Sequence, residues 1–498
     1  MKITLDSPIN RYYVQTLGMI FFPGERFGEN EEEARPDEPK LYLRSEKREN
    51  GIYTFAKAEY KDKTEEAEYF AEKTAGRTEE RTLKLSVGGA VLAAMGKLRG
   101  YRPAWGMMIG VRPSKVASEM LNAGISKTRV KKILNSDYLV IPKKAALATN
   151  IAVTEKRIVG NSTPKDCSIY ISIPFCPSRC AYCSFVSYTS KRLLDLIPEY
   201  LEKLKGDIKS NFETVKHLGL NVKTVYIGGG TPTILSEEQL RDLLSFVAEQ
   251  TDVTALEEYT LEAGRPDTIT EKKFRIAAEY GVTRVSVNPQ SLSDDVLYGV
   301  GRKHTAEDFF RAYSDARKAG IKTVNVDLIA GLPGDNFKRF SATMDKIISL
   351  APENITVHTF CVKKAADILR NNSDIYSIKG GDAGKCVDYS QIKTEQAGYI
   401  PYYMYRQKNT VGNYENVGFA LEGHEGLYNI YMMEEIHSIF AAGAGAVTKL
   451  VDNLGATGEK KNIVRLFNQK YPYEYLTEDR REAFAAEAER FYLEHGML

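Results

Sequence analysis

Between residues 167 and 405 the chain alternates short apolar runs with longer segments of helical periodicity, which limits the possible folds more than any other feature. The apolar runs are residues 168–175, 223–227, 259–263, 284–287, 323–329, 355–360 and 399–405. Between them, Ser236 and Thr305 each precede a polar residue by three positions, as helix N-caps do. Such alternation requires a parallel sheet with helices on its outer face. Six or seven units predict an α/β fold with a partial (β/α)6-type barrel, whose functional sites gather where strands end.

The flanking segments depart from this pattern and predict a division into three domains. The domains that we expect are an N-terminal α/β accessory domain at 1–160, the partial barrel at 161–408 and an α-rich C-terminal cap at 409–498. In the first domain, the patterns predict strands at 12–17 and 51–55, a helix at 81–98 and a solvated acidic loop at 29–38. In the last domain they predict helices at 441–446 and 477–493.

Residues 97–144 form a basic segment, with eleven lysines and arginines against only Glu119 and Asp137. A local charge of this kind favours either contact with RNA or an acidic partner, or ordinary solvated helix faces. Both interpretations stay open at the level of sequence.

The composition excludes several classes of protein. The 498 residues include 68 Lys and Arg against 66 Asp and Glu, and a net charge of +2 excludes a chain built mainly to coat nucleic acid or an anionic membrane. We therefore expect no nucleic-acid partner. No uncharged run exceeds 13 residues, whereas a helix needs about 20 to cross a bilayer. Because the first residues also lack a signal-peptide pattern, we expect a cytoplasmic protein without membrane contact.

Three cysteines carry the strongest chemical signal: Cys176, Cys180 and Cys183 follow a predicted strand with C-x3-C-x2-C spacing. Three thiolates on one short loop can hold one corner of a [4Fe–4S] cluster and leave the fourth iron open to a ligand. A zinc site or unligated core cysteines are the alternatives, although structural zinc requires four protein ligands. Upstream, Cys167 is either a buried thiol or a fourth ligand. We interpret Cys361 and Cys386 as core residues.

Residues 170–176 (YISIPFC), leading into this motif, resemble the radical S-adenosylmethionine enzymes of the oxygen-independent coproporphyrinogen III oxidase branch. The resemblance covers roughly residues 165–450, and the run PYYMYRQKN at 401–409 is most similar to coproporphyrinogen dehydrogenases of the HemZ type. It implies a partial barrel with two cofactors, a [4Fe–4S] cluster and S-adenosylmethionine, the latter bound to the open iron. It also implies catalytic roles for Tyr170 and Arg302.

Polar residues and glycines at successive strand ends are the predicted S-adenosylmethionine contacts. Glycines expose backbone groups to a ligand, and carboxylates at strand ends can accept hydrogen bonds from ribose hydroxyls. By resemblance, the cofactor-binding residues are Gly229, Gly230, Thr231, Glu262, Gln290, Arg302 and Asp327. Read without the family, the glycines favour a plain turn, and Arg302 favours a surface position over a carboxylate contact.

A tyrosine-rich strand and three histidines are candidate substrate contacts. Tyr402, Tyr403 and Tyr405 lie beside Arg406 and Lys408, which suits a macrocycle with acidic arms or equally an ordinary edge strand. The three histidines are either tetrapyrrole contacts or structural residues: His358, His424 and His437.

The resemblance predicts oxidative decarboxylation of coproporphyrinogen III to protoporphyrinogen IX, with a reduced flavodoxin or ferredoxin as the electron donor. One departure leaves the tetrapyrrole reaction open. The family motif in the best-known members continues to a further cysteine, but here Ser184 and Phe185 follow Cys183. A heme-binding chaperone, or another radical reaction such as methyl transfer onto heme, is therefore an alternative.

Overall fold

The structure is a computed structural model that describes residues 1–23, 25, 38–183, 185, 187–361, 381–407, 410–452 and 461–498. Its strands form two sheets, one of four strands near the N-terminus and one of eleven strands that contains the predicted barrel. The acidic segment 29–38 lies outside the described residues except for its last residue. Ser184 and Lys408 also lie outside them.

The small sheet and two helices form the N-terminal unit. Its elements are β1 (Lys2–Asp6), α1 (Arg11–Phe21), β2 (Lys40–Arg48), β3 (Gly51–Tyr60), β4 (Lys63–Glu72) and α2 (Glu79–Arg99). The structure confirms the strand at 51–55 and the helix at 81–98, but the predicted strand at 12–17 is wrong, because these residues belong to α1. The side chain of Asn10 caps this helix by accepting a 2.8 Å hydrogen bond from the Tyr12 amide. Val14, Leu17 and Phe21 lie buried on one helical face.

Three helices connect this unit to the barrel: α3 (Pro113–Asn122), α4 (Lys127–Ser136) and α5 (Pro142–Val159). They carry much of the basic segment, yet their apolar faces belong to the same hydrophobic core as the barrel. The core of the small sheet is separate and includes residues up to Met107. The division between the two cores therefore lies near residue 105, ahead of the domain boundary expected at 160.

The barrel consists of parallel strands joined by helices on the outside. Its strands are β5 (Asp166–Ile173), β6 (Asn221–Gly229), β7 (Glu258–Glu262), β8 (Arg284–Ser286), β9 (Thr323–Ala330) and β10 (Asn354–Thr359). Its helices are α6 (Lys191–Leu194), α7 (Ile197–His217), α8 (Glu237–Gln250), α9 (Glu271–Glu279), α10 (Asp294–Gly299), α11 (Ala306–Lys318), α12 (Phe337–Leu350) and α13 (Ala383–Gln396). The six strands are neighbours in chain order and pair in parallel. Ser236 and Thr305 form capping boxes, as predicted.

The C-terminal residues extend both edges of this sheet. The remaining elements are β11 (Ile400–Tyr405), β12 (Asn416–Ala420), α14 (Leu427–Met433), β13 (Ser438–Ala442), β14 (Val447–Val451), β15 (Ile463–Phe467), α15 (Pro472–Thr477) and α16 (Arg481–Glu494). Strands β11 and β12 add antiparallel strands beyond β10, while β13 pairs in parallel with β5. The segment contains helices as predicted, and it also contains four strands that the sequence pattern did not predict.

The small residues 441–446, predicted to be helical, form the end of β13 and a turn instead. Gly443 has φ +100°, and a Cβ there would lie 2.6 Å from the Tyr200 hydroxyl and 2.7 Å from the Ser172 carbonyl oxygen. The small side chains thus allow β13 to lie against β5 and α7. Within the described part of the chain, none of the helices combines the length and apolar composition that a bilayer crossing requires.

Candidate active site

A cavity of about 610 Å³ occupies the interior of the barrel. At the carboxyl edge of the strands it is lined by the cysteine loop and by the loop after β6. At the opposite end it reaches Glu258 and Arg284, the first residues of β7 and β8. Helix α14 contributes Tyr428 to its wall. Its size is within the range of ordinary ligand pockets, about 300–1,000 Å³.

Cys176, Cys180 and Cys183 all line this cavity. The loop that carries them is held in place by backbone hydrogen bonds, from the Cys176 amide to the Tyr188 carbonyl oxygen and from the Ala181 amide to the Val300 carbonyl oxygen, each at 3.0 Å. Cys176 and Cys180 are 8% exposed, and burial raises the pKa of the Cys176 thiol. Thr231 Oγ1 lies 3.2 Å from Cys176 Sγ. The thiols are therefore preorganised around a common space that faces the barrel interior.

The described residues offer no preformed site for a single metal ion. Among the described residues, no three His, Cys, Asp or Glu side chains converge closely enough to hold one metal ion. Zinc would require its sulfur ligands to converge within about 2.3 Å of a single point. In an iron–sulfur cluster each cysteine instead binds a different iron, so the sulfurs can surround a larger group. Of the other three cysteines, Cys167 and Cys386 do not line the cavity, whereas Cys361 does.

Arg265, in the loop after β7, is a cavity residue that the sequence analysis missed. Its Nη1 lies 3.7 Å from Cys180 Sγ and donates to the carbonyl and hydroxyl oxygens of Ser178. Two hydrogen bonds to the carboxylate of Asp267, at 2.9 and 2.7 Å, hold the guanidinium. The sequence signal that could have identified Arg265 is the run Arg265-Pro266-Asp267, which follows closely after a predicted strand. The arrangement places positive charge beside the thiols, and this charge partly opposes the effect of burial on the pKa of Cys176.

The loop after β6 approaches the cysteine loop more closely than any side chain would permit. Gly229 has φ +108°, and a Cβ on Gly230 would lie 2.6 Å from the Phe175 carbonyl oxygen and 3.0 Å from Cys176 Sγ. The amides of Gly230 and Thr231 donate 2.8 Å hydrogen bonds to the carbonyl oxygens of Ile173 and Phe175. The glycines are thus required for the packing of two loops as well as for access to the cavity.

Glu262 and Asp327 face the cavity from neighbouring positions but differ in charge. Burial raises the pKa of Glu262 to about 7, with the nearby Asp327 adding to this and a hydrogen bond from the Tyr226 hydroxyl opposing it. Burial also disfavours the charge of Asp327, yet hydrogen bonding and charge from His358 hold the pKa of Asp327 below its ordinary value. Asn288 and Asn325 donate to Asp327 at 2.9 and 2.8 Å. At neutral pH the cavity therefore holds one carboxylate and one group near its titration midpoint.

Gln290 lies between β8 and β9 in an unfavourable conformation. It has φ +67°, in the left-handed region that non-glycine residues rarely occupy. Its amide donates to the Asp327 carbonyl oxygen at 3.0 Å, which anchors the loop. Its side-chain oxygen Oε1 is buried without a hydrogen-bond partner. A buried acceptor of this kind is costly unless a ligand supplies a donor.

Arg302 lines the cavity, but all three of its side-chain nitrogens bind protein groups. Nη1 donates to the Tyr182 hydroxyl at 3.0 Å, and Nη2 donates to the carbonyl oxygens of Gly264 and Asn288 at 2.8 and 2.7 Å. Nε lies 3.2 Å from His304. The side chain therefore joins the cysteine loop to the ends of β7 and β8. Its predicted contact with a ligand stays a prediction.

Tyr170 stacks with two other tyrosines inside the cavity. Its ring centroid lies 6.1 Å from that of Tyr226 and 6.2 Å from that of Tyr428, at interplanar angles of 23° and 19°. The rings of Tyr226 and Tyr428 are 4.5 Å apart. Burial raises the pKa of Tyr170, which keeps the phenol neutral. The stack forms a flat aromatic wall that includes a residue of the C-terminal segment.

The tyrosine-rich strand β11 contributes side chains to the cavity wall, whereas the arginine that follows it lies in the protein interior. Tyr402, Tyr403 and Tyr405 line the cavity. Arg406, a candidate substrate contact in the sequence, does not line the cavity: its amide donates to the Val111 carbonyl oxygen at 2.7 Å, and its guanidinium donates to the Met108 carbonyl oxygen. This side chain therefore packs on the N-terminal segment, away from the cavity. Lys408 lies outside the described residues.

One of the three predicted histidines lies in the cavity. His358 lines it, with Nε2 3.6 Å from Asp327 Oδ2 and Nδ1 3.3 Å from the Tyr405 hydroxyl. His424 bonds Thr323 at 2.8 Å, and neither it nor His437 lines the cavity. These two are structural in the described part of the chain.

Sequence comparisons identify the family to which this chain belongs. The family model described as "Radical SAM superfamily" matches residues 170–347. The "Oxygen-independent coproporphyrinogen-III oxidase-like protein HemZ" of Bacillus subtilis (strain 168) is 38% identical over 381 residues, which cover 76% of this chain and 75% of that protein. The chain belongs to the radical SAM superfamily, in the group of coproporphyrinogen oxidase-like proteins. The predicted family and fold class are thereby confirmed.

A second curated relative of this radical SAM protein carries a different name, and one solved structure is also similar. The "Heme chaperone HemW" of Bacillus subtilis (strain 168) is 30% identical over 328 residues, covering 63% of this chain and 81% of the chaperone. Among solved structures, coproporphyrinogen III oxidase (HemN) from Escherichia coli aligns with 67% of this chain and 73% of its own, at 20% identity and a TM-score of 0.49.

Radical SAM proteins use a [4Fe–4S] cluster and S-adenosylmethionine, and this confirms the predicted cofactors. The residues at the cavity fit both groups. Three cysteines on one loop face a shared space, and Gly230 leaves room beside Cys176 that a Cβ would fill. The unpartnered Oε1 of Gln290 and the carboxylate of Asp327 are acceptors suited to the hydroxyl and amino groups of S-adenosylmethionine.

Proposed function

We propose that this protein catalyses the oxygen-independent oxidative decarboxylation of coproporphyrinogen III to protoporphyrinogen IX. The observation that carries the proposal is a single cavity in which the cysteine loop, the strand-end carboxyl groups and a stack of three tyrosines face one another. Membership of a group named for coproporphyrinogen oxidation supports the same substrate class.

In this proposal Cys176, Cys180 and Cys183 hold the cluster. The residues that would hold S-adenosylmethionine are Gly229, Gly230, Thr231, Glu262, Gln290 and Asp327. When bound, the two groups would supply the radical chemistry that removes a hydrogen atom from a propionate β-carbon; loss of CO2 and transfer of one electron from the substrate to a separate one-electron acceptor would then leave a vinyl group. A reduced flavodoxin or ferredoxin is the electron donor that we propose for the cluster.

The chain's own groups orient the substrate and control protons. The stacked rings of Tyr170, Tyr226 and Tyr428 offer a flat apolar surface to a macrocycle. Glu262, with a pKa of about 7, can exist as a neutral carboxyl group or a carboxylate at physiological pH. Arg302 acts as a positioning residue, since it ties the cysteine loop to the strand ends through Tyr182, Gly264 and Asn288.

Anaerobic turnover tests the proposal directly. The reconstituted protein is incubated with reductant, S-adenosylmethionine and coproporphyrinogen III, and the products are identified by mass spectrometry. We expect a tricarboxylic intermediate followed by the dicarboxylic product, together with 5′-deoxyadenosine. Cleavage of S-adenosylmethionine without any loss of CO2 from coproporphyrinogen would contradict the proposed substrate.

Heme binding for transfer to other proteins is the second candidate, because a heme chaperone is 30% identical over 81% of its own length. The geometry favours it less. His358 is the histidine of the described cavity wall, and both of its ring nitrogens face protein groups, Asp327 and Tyr405. An axial heme ligand would have to break one of these contacts. Tight heme binding and transfer, without decarboxylation, would favour the chaperone.

A further inference from the structure

Three arginines lie on the described part of the cavity wall, and they differ in how many of their side-chain nitrogens bind protein groups. Arg265 and Arg302 bind protein groups through all three side-chain nitrogens. Arg284 uses only two: Nε donates to Glu258 Oε2 at 3.1 Å, and Nη2 donates to the His424 and Glu425 carbonyl oxygens at 2.8 and 2.9 Å. Among the residues that the structure describes, no acceptor pairs with its Nη1, although Arg284 is only 7% exposed and lines the cavity. One charged donor inside the cavity is thus left for a ligand.

Arg284 lies at the far end of the cavity from the cysteines. It is the first residue of β8, next to the first residue of β7, Glu258. Glu262, four residues further along β7, lies at the carboxyl edge. Arg284 pairs in register with Thr260, two residues before Glu262, so at about 3.3 Å per residue its backbone lies roughly 7 Å along the strands from that edge. Its side chain extends to Glu258, four residues before Glu262. A macrocycle whose reacting arm lies at the carboxyl edge can therefore direct another arm toward Arg284.

Arg284 is only one of the hydrogen-bond donors to Glu258. The glutamate also accepts hydrogen bonds from the Leu427 and Tyr428 amides, at 2.8 and 3.2 Å, and from Thr260 Oγ1 at 3.2 Å. With its oxygens bound to four donors, it is a satisfied group that orients the guanidinium. The cavity wall near these residues is polar, with Ser286, Asn325 and Thr356 on successive strands. Interiors of closed (β/α) barrels are filled by branched apolar side chains instead.

We propose that Arg284 binds a carboxylate of the tetrapyrrole at the inner end of the cavity, with Nη1 as the donor. The proposal rests on the proposed function, in which two of the four propionates stay intact and must be buried with partners. Binding one of them at the inner end fixes the rotation of the macrocycle and directs a reacting arm to the cysteine edge. Arg284 is then a specificity-determining residue for carboxylated tetrapyrroles.

Binding of coproporphyrin III, followed by quenching of its fluorescence, tests this site in the reconstituted protein. In the double variant Arg284→Gln/Glu258→Gln both charges are removed together, so no unpaired charge is buried. We expect its affinity for coproporphyrin III to fall by about 10- to 100-fold, the effect of a lost charged hydrogen bond. Affinity for the tetramethyl ester, which has no carboxylate, should not change. Arg317→Gln is the matched control, because Arg317 pairs with Glu353 at 2.8 Å outside the cavity wall.

The outcomes separate this inference from the proposed function. If the folded double variant binds coproporphyrin III as the wild type does, the carboxylate site is wrong, whatever the wild-type turnover. If the wild type does not decarboxylate coproporphyrinogen but binds coproporphyrin III through Arg284, the site stands and the proposed reaction fails. Should the double variant not fold, Arg284→Lys keeps the pair with Glu258 and removes the planar N–H fork. Unchanged discrimination between coproporphyrin III and its ester in Arg284→Lys would then overturn the inference.

Discussion

At the residue scale, the reactivity of this protein depends on which cysteines face the cavity. Cys176, Cys180 and Cys183 face it from one loop, and backbone hydrogen bonds to two other segments hold that loop. Cys361 also lines the cavity, but it follows β10 and does not belong to the loop. Cys167 is completely buried in β5, and burial raises the pKa of its thiol. A buried neutral thiol packs as a small apolar side chain, so Cys167 contributes to the core and not to metal binding.

We expect Cys176→Ala, Cys180→Ala and Cys183→Ala each to lose most of the iron and sulfide, because two thiolates hold a cluster poorly. Cys167→Ala and Cys386→Ala should keep wild-type contents, since neither residue lines the cavity. Iron and sulfide analysis of the anaerobically reconstituted variants measures the difference. Loss of the cluster from Cys167→Ala would overturn this ligand assignment.

The raised pKa of Glu262, about 7, predicts a pH-dependent stability. The unfolded carboxyl group titrates near 4.3, so between about pH 4.5 and 7 the folded protein binds more protons at this site than the unfolded chain. The stabilising contribution of protonated Glu262 is therefore present at low pH and is lost as the pH rises through 7. At about 1.4 kcal/mol per pH unit, the part of this loss that falls between pH 5.5 and 7 is about 2 kcal/mol.

The free energy of unfolding of wild type and Glu262→Gln, measured in urea without S-adenosylmethionine at pH 5.5 and 8, tests this effect. The wild type should lose about 2 kcal/mol more than the variant between these two pH values. Equal losses in the two proteins would show that Glu262 titrates normally.

At the element scale, the loop after β6 and the cysteine loop form one packed unit. Gly230 lies against Phe175 and Cys176, and the Thr231 hydroxyl contacts Cys176 Sγ. Neither loop can move without the other, because the Gly230 and Thr231 amides donate to carbonyl oxygens at the end of β5 and just beyond it. We therefore expect the glycine-rich sequence to affect metal binding as well as S-adenosylmethionine binding.

Gly230→Ala should reduce the iron content of the protein, because its Cβ would lie 2.6 Å from the Phe175 carbonyl oxygen and must displace the segment that leads to Cys176. We expect a destabilisation of about 1–3 kcal/mol, typical of overpacking. Gly110→Ala is the control, since no atom lies within 4 Å of its Cβ position. Normal iron content in Gly230→Ala would mean that the two loops move independently.

At the scale of the whole molecule, a buried ion pair joins the N-terminal helices to the barrel. Lys144 on α5 is fully buried, and its Nζ donates to Glu415 Oε1 at 2.5 Å and to Asp388 Oδ1 at 2.9 Å. Trp105 Nε1 donates to the other oxygen of Glu415 at 2.7 Å. Lys144 belongs to the basic segment, and here its charge serves internal packing. The helices of this segment and the barrel share one core.

Lys144→Met should destabilise the protein by about 3–5 kcal/mol, because it leaves the charge of Glu415 buried without its main partner. The double variant Lys144→Met/Glu415→Gln should recover most of this loss. Lys205→Met, which removes an ion pair with Asp242 at the surface, should cost less than about 1 kcal/mol. Urea unfolding measures all three, and an equal cost for Lys144→Met and Lys205→Met would contradict the buried pair.

Local sequence patterns were sufficient to predict the barrel strands and the cysteine loop. A run of apolar residues followed by a helical period specifies a strand and its neighbouring helix within about 30 residues of chain, and C-x3-C-x2-C specifies three thiols on one loop. The ends of α8 and α11 were predictable for the same reason, since Ser236 and Thr305 cap them through residues only three positions away.

Other features depended on contacts between distant parts of the chain, and only the tertiary structure decided them. Residues 12–17 form part of a helix because their apolar face packs in the core of the small sheet, and β13 is a strand because β5 offers it a parallel edge. Contacts with distant residues also decide which arginines bind protein groups and which can bind a ligand. Arg406 binds Met108, Arg302 binds Tyr182, and Arg284 has a nitrogen without an acceptor among the described residues, although nothing near each arginine in sequence distinguishes them. Whether a charge serves packing or binding depends on which remote acceptors the fold brings to it.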